Sequence, residues 1–282
     1  MTAVKKRVAL VIGSGSVKCA AAIGMQQVLL REGIEIGMVV GTSGGSMYAA
    51  LIAMGITPER AAEMSTQMWT REVTSKHNRR ALWQILMPNV FGFDENFGTV
   101  DDTQVMRHLR AAYGDTKIEN TPIPLYITAT DFDNGEQVVL TRGSLVDAIR
   151  ASIAIPYIFQ AHRVDGRMLV DGYLTDPMPV GVAIKENASI ILAMGFESPY
   201  QNKINALMRY TFQVSSIMSN NLLRANYAFH SMAHHGEVLA IMPRFEQRIG
   251  LFDTEKIPYI IERGARATEE QLPYLKKLIA SS

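Results

Sequence analysis

Gly41-Thr42-Ser43-Gly44-Gly45 spells Gly-x-Ser-x-Gly. That spacing suits a serine nucleophile held at a tight strand-to-helix turn. Small residues at Gly41 and Gly45 let the backbone double back without clashes. A helix that begins just after the serine aims its N–H groups and positive dipole end at it, where negative charge grows during attack on a carbonyl. The same five residues also suit an ordinary Gly/Ser turn, and the pentapeptide alone does not choose between the two. A second small-residue run, Gly13-Ser14-Gly15-Ser16, lies upstream. As a dinucleotide loop it lacks the third glycine, since position 18 is Lys, and no Walker lysine–serine pair follows. Its backbone N–H groups suit an oxyanion hole facing the serine. A purely structural turn stays open beside that reading.

Other reactive side chains offer alternatives. His162, His230, His234 and His235 supply a Ser–His–Asp alternative, and the last three follow Asp171 in the order of an α/β-hydrolase. Against it, the elbow comes very early in the chain, and His234-His235 reads better as a cation at a helix end. Cys19 falls on an apolar helix face and reads as small core filling. Asp131, Asp133, Asp171, Asp176 and His162 show no metal-ligand spacing, so neither a metal nor a cofactor is expected.

The elements that must hold these residues follow from apolar patterning. Residues 7–12 read as a buried strand and 17–31 as an apolar helix, with Gly33 just past its end. Strand, turn, helix, strand is right-handed by default. The Met38-Val39-Val40 strand before Ser43 is therefore expected beside the first strand, with both glycine turns at one edge of a parallel sheet. Further on, Thr57-Pro58 starts a helix running to about Trp69, and residues 103–112 form another. A strand over 124–130 turns at Asp133-Asn134-Gly135-Glu136 into 137–140. Ser144 caps a helix to Arg150, and a hairpin at 164–167 leads into the strand that delivers Asp171. Strands are expected over 189–195 and 237–242, a long Met-rich helical stretch over 203–233, and a closing helix region capped by Asp253. A basic patch, Lys76 to Arg80, precedes an aromatic run over 82–93. We expect that run to line an acyl pocket; as a surface that touches lipid it competes with plain packing on the core.

Composition bounds the class. The 282 residues are 48% hydrophobic and 20% charged, which marks a globular chain able to bury a full core. A net charge of +1 gives no reason to expect nucleic acid. One cysteine fits a reducing compartment, so a cytoplasmic location is expected, with membrane association left open. The basic, then apolar N-terminus resembles a signal peptide but is interrupted at once by Gly13–Lys18, and reads better as a first strand. No stretch approaches the ~20 apolar residues of a membrane span.

With Asp171 the blocks add up to a resemblance. Gly13-Ser14-Gly15-Ser16-Val17-Lys18, Gly41-Thr42-Ser43-Gly44-Gly45 and Leu169-Val170-Asp171-Gly172 resemble, in order and spacing, three motifs of the patatin-like phospholipases. Ala148-Ile149-Arg150-Ala151-Ser152 with Ile155-Pro156, and Ala129-Thr130-Asp131 with Gly135-Glu136, also look like that family. The resemblance covers about residues 7–195 of what reads as one domain over 1–282, with a helical extension over 203–282. It implies an α/β fold, a three-layer α/β/α sandwich on a mainly parallel sheet. It also implies a Ser43–Asp171 dyad without histidine, an oxyanion hole from Gly13, Gly15 and Ser16, and support from Gly41, Gly45 and Gly172. The substrate would be a lipid ester, a phospholipid or lysophospholipid, with Lys18 as a phosphate or headgroup contact. A homodimer and peripheral membrane contact stay open. So do an acyltransferase or thioesterase on the same dyad, and a lipid-binding protein that keeps the fold without the chemistry. Three positions depart from the family's pattern: Ser16 and Cys19 stand where it has glycines, and Tyr173 follows the Asp-Gly pair.

Overall fold

The computed structural model describes residues 8–68, 78–95, 97–233, 237–251 and 253–281. The strands are β1 Val8–Ile12, β2 Ile36–Thr42, β3 Leu125–Asp131, β4 Gln137–Leu140, β5 His162–Val164, β6 Arg167–Asp171, β7 Ile190–Met194 and β8 Glu237–Ile241. The helices are α1 Ala21–Arg31, α2 Gly44–Ala53, α3 Pro58–Met68, α4 Arg79–Leu86, α5 Pro88–Phe91, α6 Asp102–Tyr113, α7 Leu145–Ser152, α8 Val180–Lys185, α9 Leu207–Ala233 and α10 Ile257–Ala280.

All strands share one sheet. β3, β2, β1, β7 and β8 run parallel in that order, while β4, β5 and β6 add antiparallel pairings beyond β3. Every residue of β1 is buried because helices cover both faces. Val8, Leu10 and Ile12 point into the core shared with α1, α2 and α10; Ala9 and Val11 point the other way, against Val180, Val182 and Leu223 of α8 and α9. The result is a three-layer α/β/α sandwich, with β1 and β2 adjacent as the strand–turn–helix order leads one to expect.

The C-terminal stretch is not purely helical. β8 continues the parallel sheet, and α10 lies on α1 at a glycine crossing. A Cβ on Gly24 would meet Ile261 O at 2.0 Å, and one on Gly264 would meet Ala21 O at 2.0 Å. The chains touch there because neither side chain exists. Two local expectations change. Ser16–Ala20 form a 3-10 turn, so α1 starts only at Ala21. Asp253 makes no cap bond; its carboxylate instead accepts from the Gly250 N–H and from Lys256 Nζ, each at 2.9 Å. Lys76, His77, Trp69, His234 and His235 lie outside the described residues.

Candidate active site

Ser43 occupies the corner between β2 and α2 with φ 52° and ψ −135°, a conformation that costs an L residue about 1–3 kcal/mol. The surroundings leave no alternative. A Cβ on Gly41 would strike the Ala49 methyl at 2.6 Å, and one on Gly45 would strike Ile12 O at 2.3 Å. The Ser43 carbonyl accepts from the Ser46 N–H at 2.9 Å and from Ser46 Oγ at 2.6 Å. The Ser43 N–H donates to Ser152 Oγ at 2.8 Å, and that hydroxyl donates to Thr128 O at 2.7 Å. Ser152 is in turn held by α7. On that helix the fully buried Arg150 makes paired bonds to Asp102 and donates to Gln160 O.

β3 works as a ruler for the second residue. Ala129 and Thr130 pair with β4 on one side and with β6 on the other; Ile127 and Thr128 pair with β4 and with β2. β2 and β6 therefore share one edge of β3. One runs parallel to it and the other antiparallel, so their C-terminal ends meet. Thr42 stands opposite Thr128, and Asp171 stands opposite the next residue, Ala129. Ser43 Oγ donates to Asp171 Oδ2 at 2.8 Å. Asp171 Oδ1 accepts the Tyr173 N–H at 3.0 Å, and Gly172 passes so close to Thr42 Oγ1 and Thr128 O that no side chain fits. Asp171 is completely buried. Burial pushes its carboxyl up to about 7, against the pull of the Tyr173 N–H and the Ser43 hydroxyl. A carboxylate with that affinity, bonded to a serine hydroxyl, is a base able to accept the serine proton near neutral pH.

The upstream turn lies against the elbow, since a Cβ on Gly44 would sit 2.8 Å from Ser16 N and Cα. Gly13 differs from expectation: its N–H donates to Met194 O at 2.8 Å, which removes it as an oxyanion donor, and its contribution is close passage beside Pro177 O. The Ser14 N–H is likewise committed, to Pro177 O. Gly15, Ser16 and Gly44 line the cleft at Ser43. Gly44 opens α2, where a helix offers its first N–H groups no internal acceptor. Ser16 takes φ 53°, the left-handed region in which a glycine is at ease, and its hydroxyl donates to Leu251 O at 2.7 Å. Lys18 also lines the cleft, with Nζ donating to Glu197 O at 2.7 Å and lying 5.8 Å from the Phe196 ring centre; burial lowers its pKa. Cys19 is buried with its thiol on Gly13 O, and burial raises its pKa far out of the reactive range.

The cleft encloses about 310 Å³. A larger cavity of about 900 Å³ adjoins it under α9. Tyr173 stands between them, lining both, with its hydroxyl 2.9 Å from Ser215 Oγ.

The patatin-like phospholipase family model matches residues 10–184. An NTE family protein of Mycobacterium tuberculosis is 35% identical over 188 residues, which are 67% of this chain and 48% of the relative. The chain belongs to the patatin-like phospholipase family. Lysophospholipase NTE1 of Mycosarcoma maydis is 30% identical over 190 residues, 66% of this chain but 9% of that protein. The chain thus spans about half, or less, of the length of these relatives. Among solved structures, VipD of Legionella pneumophila shares the fold: TM-score 0.52 at 12% identity, over 98% of this chain and 67% of that one.

Within this patatin-like site Ser43 Oγ bonds Asp171 directly, and among the described residues no imidazole comes between them. His162 instead faces Asp147 at 2.9 Å, and His230 packs against Gly181 on α8. The aromatic run also departs from expectation, since none of its described residues lines the cleft or the larger cavity. Trp83, Ile85, Val90, Phe91 and Phe93 are exposed, with the Trp83 and Phe91 rings stacked at 5.5 Å. Among the described residues no group of His, Cys, Asp and Glu is placed to hold a metal, and no helix is long and apolar enough to cross a membrane. Ser152, within the Ala148–Ser152 motif, carries no signal in the sequence for its bond to the Ser43 N–H. Nor does the sequence single out Gly44 as a donor, or Arg248, which lines the cleft.

Proposed function

We propose that the chain hydrolyses carboxylic esters of lipids through an acyl-enzyme on Ser43. The observation that carries this reading is the 2.8 Å bond from Ser43 Oγ to a buried Asp171, made at a strained elbow. Asp171 Oδ2 takes the serine proton as Oγ attacks the ester carbonyl. The carbonyl oxygen, now negative, faces the N–H groups of Gly15, Ser16 and Gly44. The tetrahedral adduct collapses, the C–O bond to the alcohol breaks, and Asp171 returns its proton to the departing oxygen. Water then loses a proton to Asp171, attacks the acyl carbonyl, and the acid leaves as Ser43 regains its hydrogen.

Phospholipid or lysophospholipid substrates fit best. A relative bears the name lysophospholipase, and Lys18 and Arg248 give the cleft two cationic side chains for a phosphate. The exposed Trp83, Ile85, Val90 and Phe93 support peripheral contact with a lipid surface. We take the C-terminal stretch as part of the same domain, because β8 extends the sheet and α10 is keyed to α1. The test is turnover of p-nitrophenyl esters and lysophosphatidylcholine. Ser43→Ala and Asp171→Asn should each lose roughly 10³-fold or more, while His162→Ala and His230→Ala retain activity. Loss in either histidine variant with a folded protein, or full activity in Asp171→Asn, would overturn the dyad.

A further inference from the structure

The family match ends at residue 184, yet the larger cavity beside the cleft is walled by α9, residues 207–233. Its lining includes Met208, Phe212, Met218 and Leu222, facing Ile155 and Leu174. The cleft at Ser43 and this cavity are not separate spaces: Ile155, Tyr173, Phe212 and Ser215 line both. The two differ in character. The cleft carries the backbone turn, Lys18 and Arg248, whereas the α9 cavity has no charged side chain in its lining. The cleft, at about 310 Å³, has room for the reacting ester, and the adjoining 900 Å³ gives a long alkyl chain space to continue. The flexible side chains of Met208 and Met218 in this wall adapt to a flexible chain.

We propose that the α9 cavity binds the alkyl chain of the scissile acyl group, with Tyr173 as the divider that sets which chains pass. This rests on the ester-hydrolase reading of Ser43. Tyr173 is suited to the part by position. Its N–H is bonded to Asp171 Oδ1, which fixes its backbone at the reacting centre, and its hydroxyl is tied across to Ser215 on α9. An acyl group with its carbonyl at Ser43 and its tail under α9 runs past this ring. Short chains end before it. Long chains reach the methionine-lined space and remove apolar surface from water there.

Two readouts test the site and keep it separate from the chemistry. The first is titration of the fluorescent fatty acid cis-parinaric acid, which needs no turnover. Wild-type protein should bind it saturably. Leu222→Trp, which fills the cavity, and Met218→Asp, which places a carboxylate in its wall at a position 66% exposed, should each raise Kd at least tenfold. The second is the ratio of labelling rates by dodecyl and ethyl fluorophosphonates. That ratio should fall tenfold in the same two variants. It should shift at least threefold in Tyr173→Phe, which frees the divider from Ser215 and leaves the N–H bond to Asp171 in place. No saturable binding, or a Kd within twofold of wild type in both α9 variants, would overturn the proposal. Sensitive fatty-acid binding without any phosphonate labelling would support the chain site and sink the hydrolase reading instead.

Discussion

In the proposed dyad, burial of Asp171 links stability to catalysis, and replacing it by Asn exposes both. In the folded chain its carboxyl titrates at about 7; free of the fold it titrates near 3.8. The folded state therefore favours the protonated form. The sign follows: this residue is least destabilising below pH 3.8, and stability is lost as the pH rises from there through about 7, beyond which the loss levels off. Each tenfold step in proton concentration is worth about 1.4 kcal/mol. The whole penalty is then about 4 kcal/mol, of which about 2 kcal/mol develops between pH 5 and pH 7 and the rest of the later loss by pH 8. Asn cannot ionise, and its amide oxygen still accepts the Tyr173 N–H. The stability of Asp171→Asn relative to wild type should accordingly grow by about 3 kcal/mol between pH 5 and pH 8. In thermal unfolding followed by circular dichroism that is roughly 6 °C, at about 2 °C per kcal/mol for a chain of this size. Other titrating groups cancel in the difference. Over the same range wild-type kcat/KM should rise about a hundredfold and level off above pH 7, as the base ionises. A melting difference that stays constant from pH 5 to pH 8 would mean that Asp171 titrates alike in both states and is not held as a buried carboxyl of raised pKa.

Ser16→Gly should barely change stability, since the relief of a left-handed serine and the loss of its hydrogen bond are each about 1 kcal/mol; it should raise KM several-fold, because Leu251 O in the cleft wall loses one of the bonds that position it, and steady-state kinetics separates the two effects. Ser152→Ala leaves the Ser43 N–H and Thr128 O without this partner, so melting should show about 2 kcal/mol of destabilisation and kcat should fall more than KM rises. Gly24→Ala drives a methyl into the α10 backbone at Ile261 and should lower stability by about 1–3 kcal/mol or prevent soluble expression, with Leu30→Ala, an exposed change on the same helix, as the control.

The spelling of Gly41–Gly45 told of the elbow because a serine at positive φ needs small neighbours, and the sheet order near β1 and β2 followed from connection handedness. The resemblance paired Ser43 with Asp171, but what brings them together was not legible. It depends on β6 reversing direction and sharing an edge of β3 with β2, a non-local pairing that no short pattern encodes. Gly13 looked like an oxyanion donor because a glycine turn offers N–H groups; only the neighbouring strand β7 shows that Met194 O takes this one. The aromatic run over 82–93 looked like a pocket wall from its composition. Apolar content does not say which way a face points, and here the wall came from α9, whose methionines lay in a stretch with no motif at all. Ser16 stands where a glycine was expected, and its hydroxyl bonds to a residue 235 positions away, a contact only the closed fold creates.

On the proposed mechanism Ser43 is the residue that becomes acylated. Treating the protein with an ethyl fluorophosphonate and reading intact mass, followed by peptide mapping, addresses it directly. A single adduct on the peptide carrying Ser43 is expected in wild type, forming much more slowly in Asp171→Asn and not at all in Ser43→Ala. An unlabelled wild-type protein, or an adduct that persists in Ser43→Ala, would contradict the account.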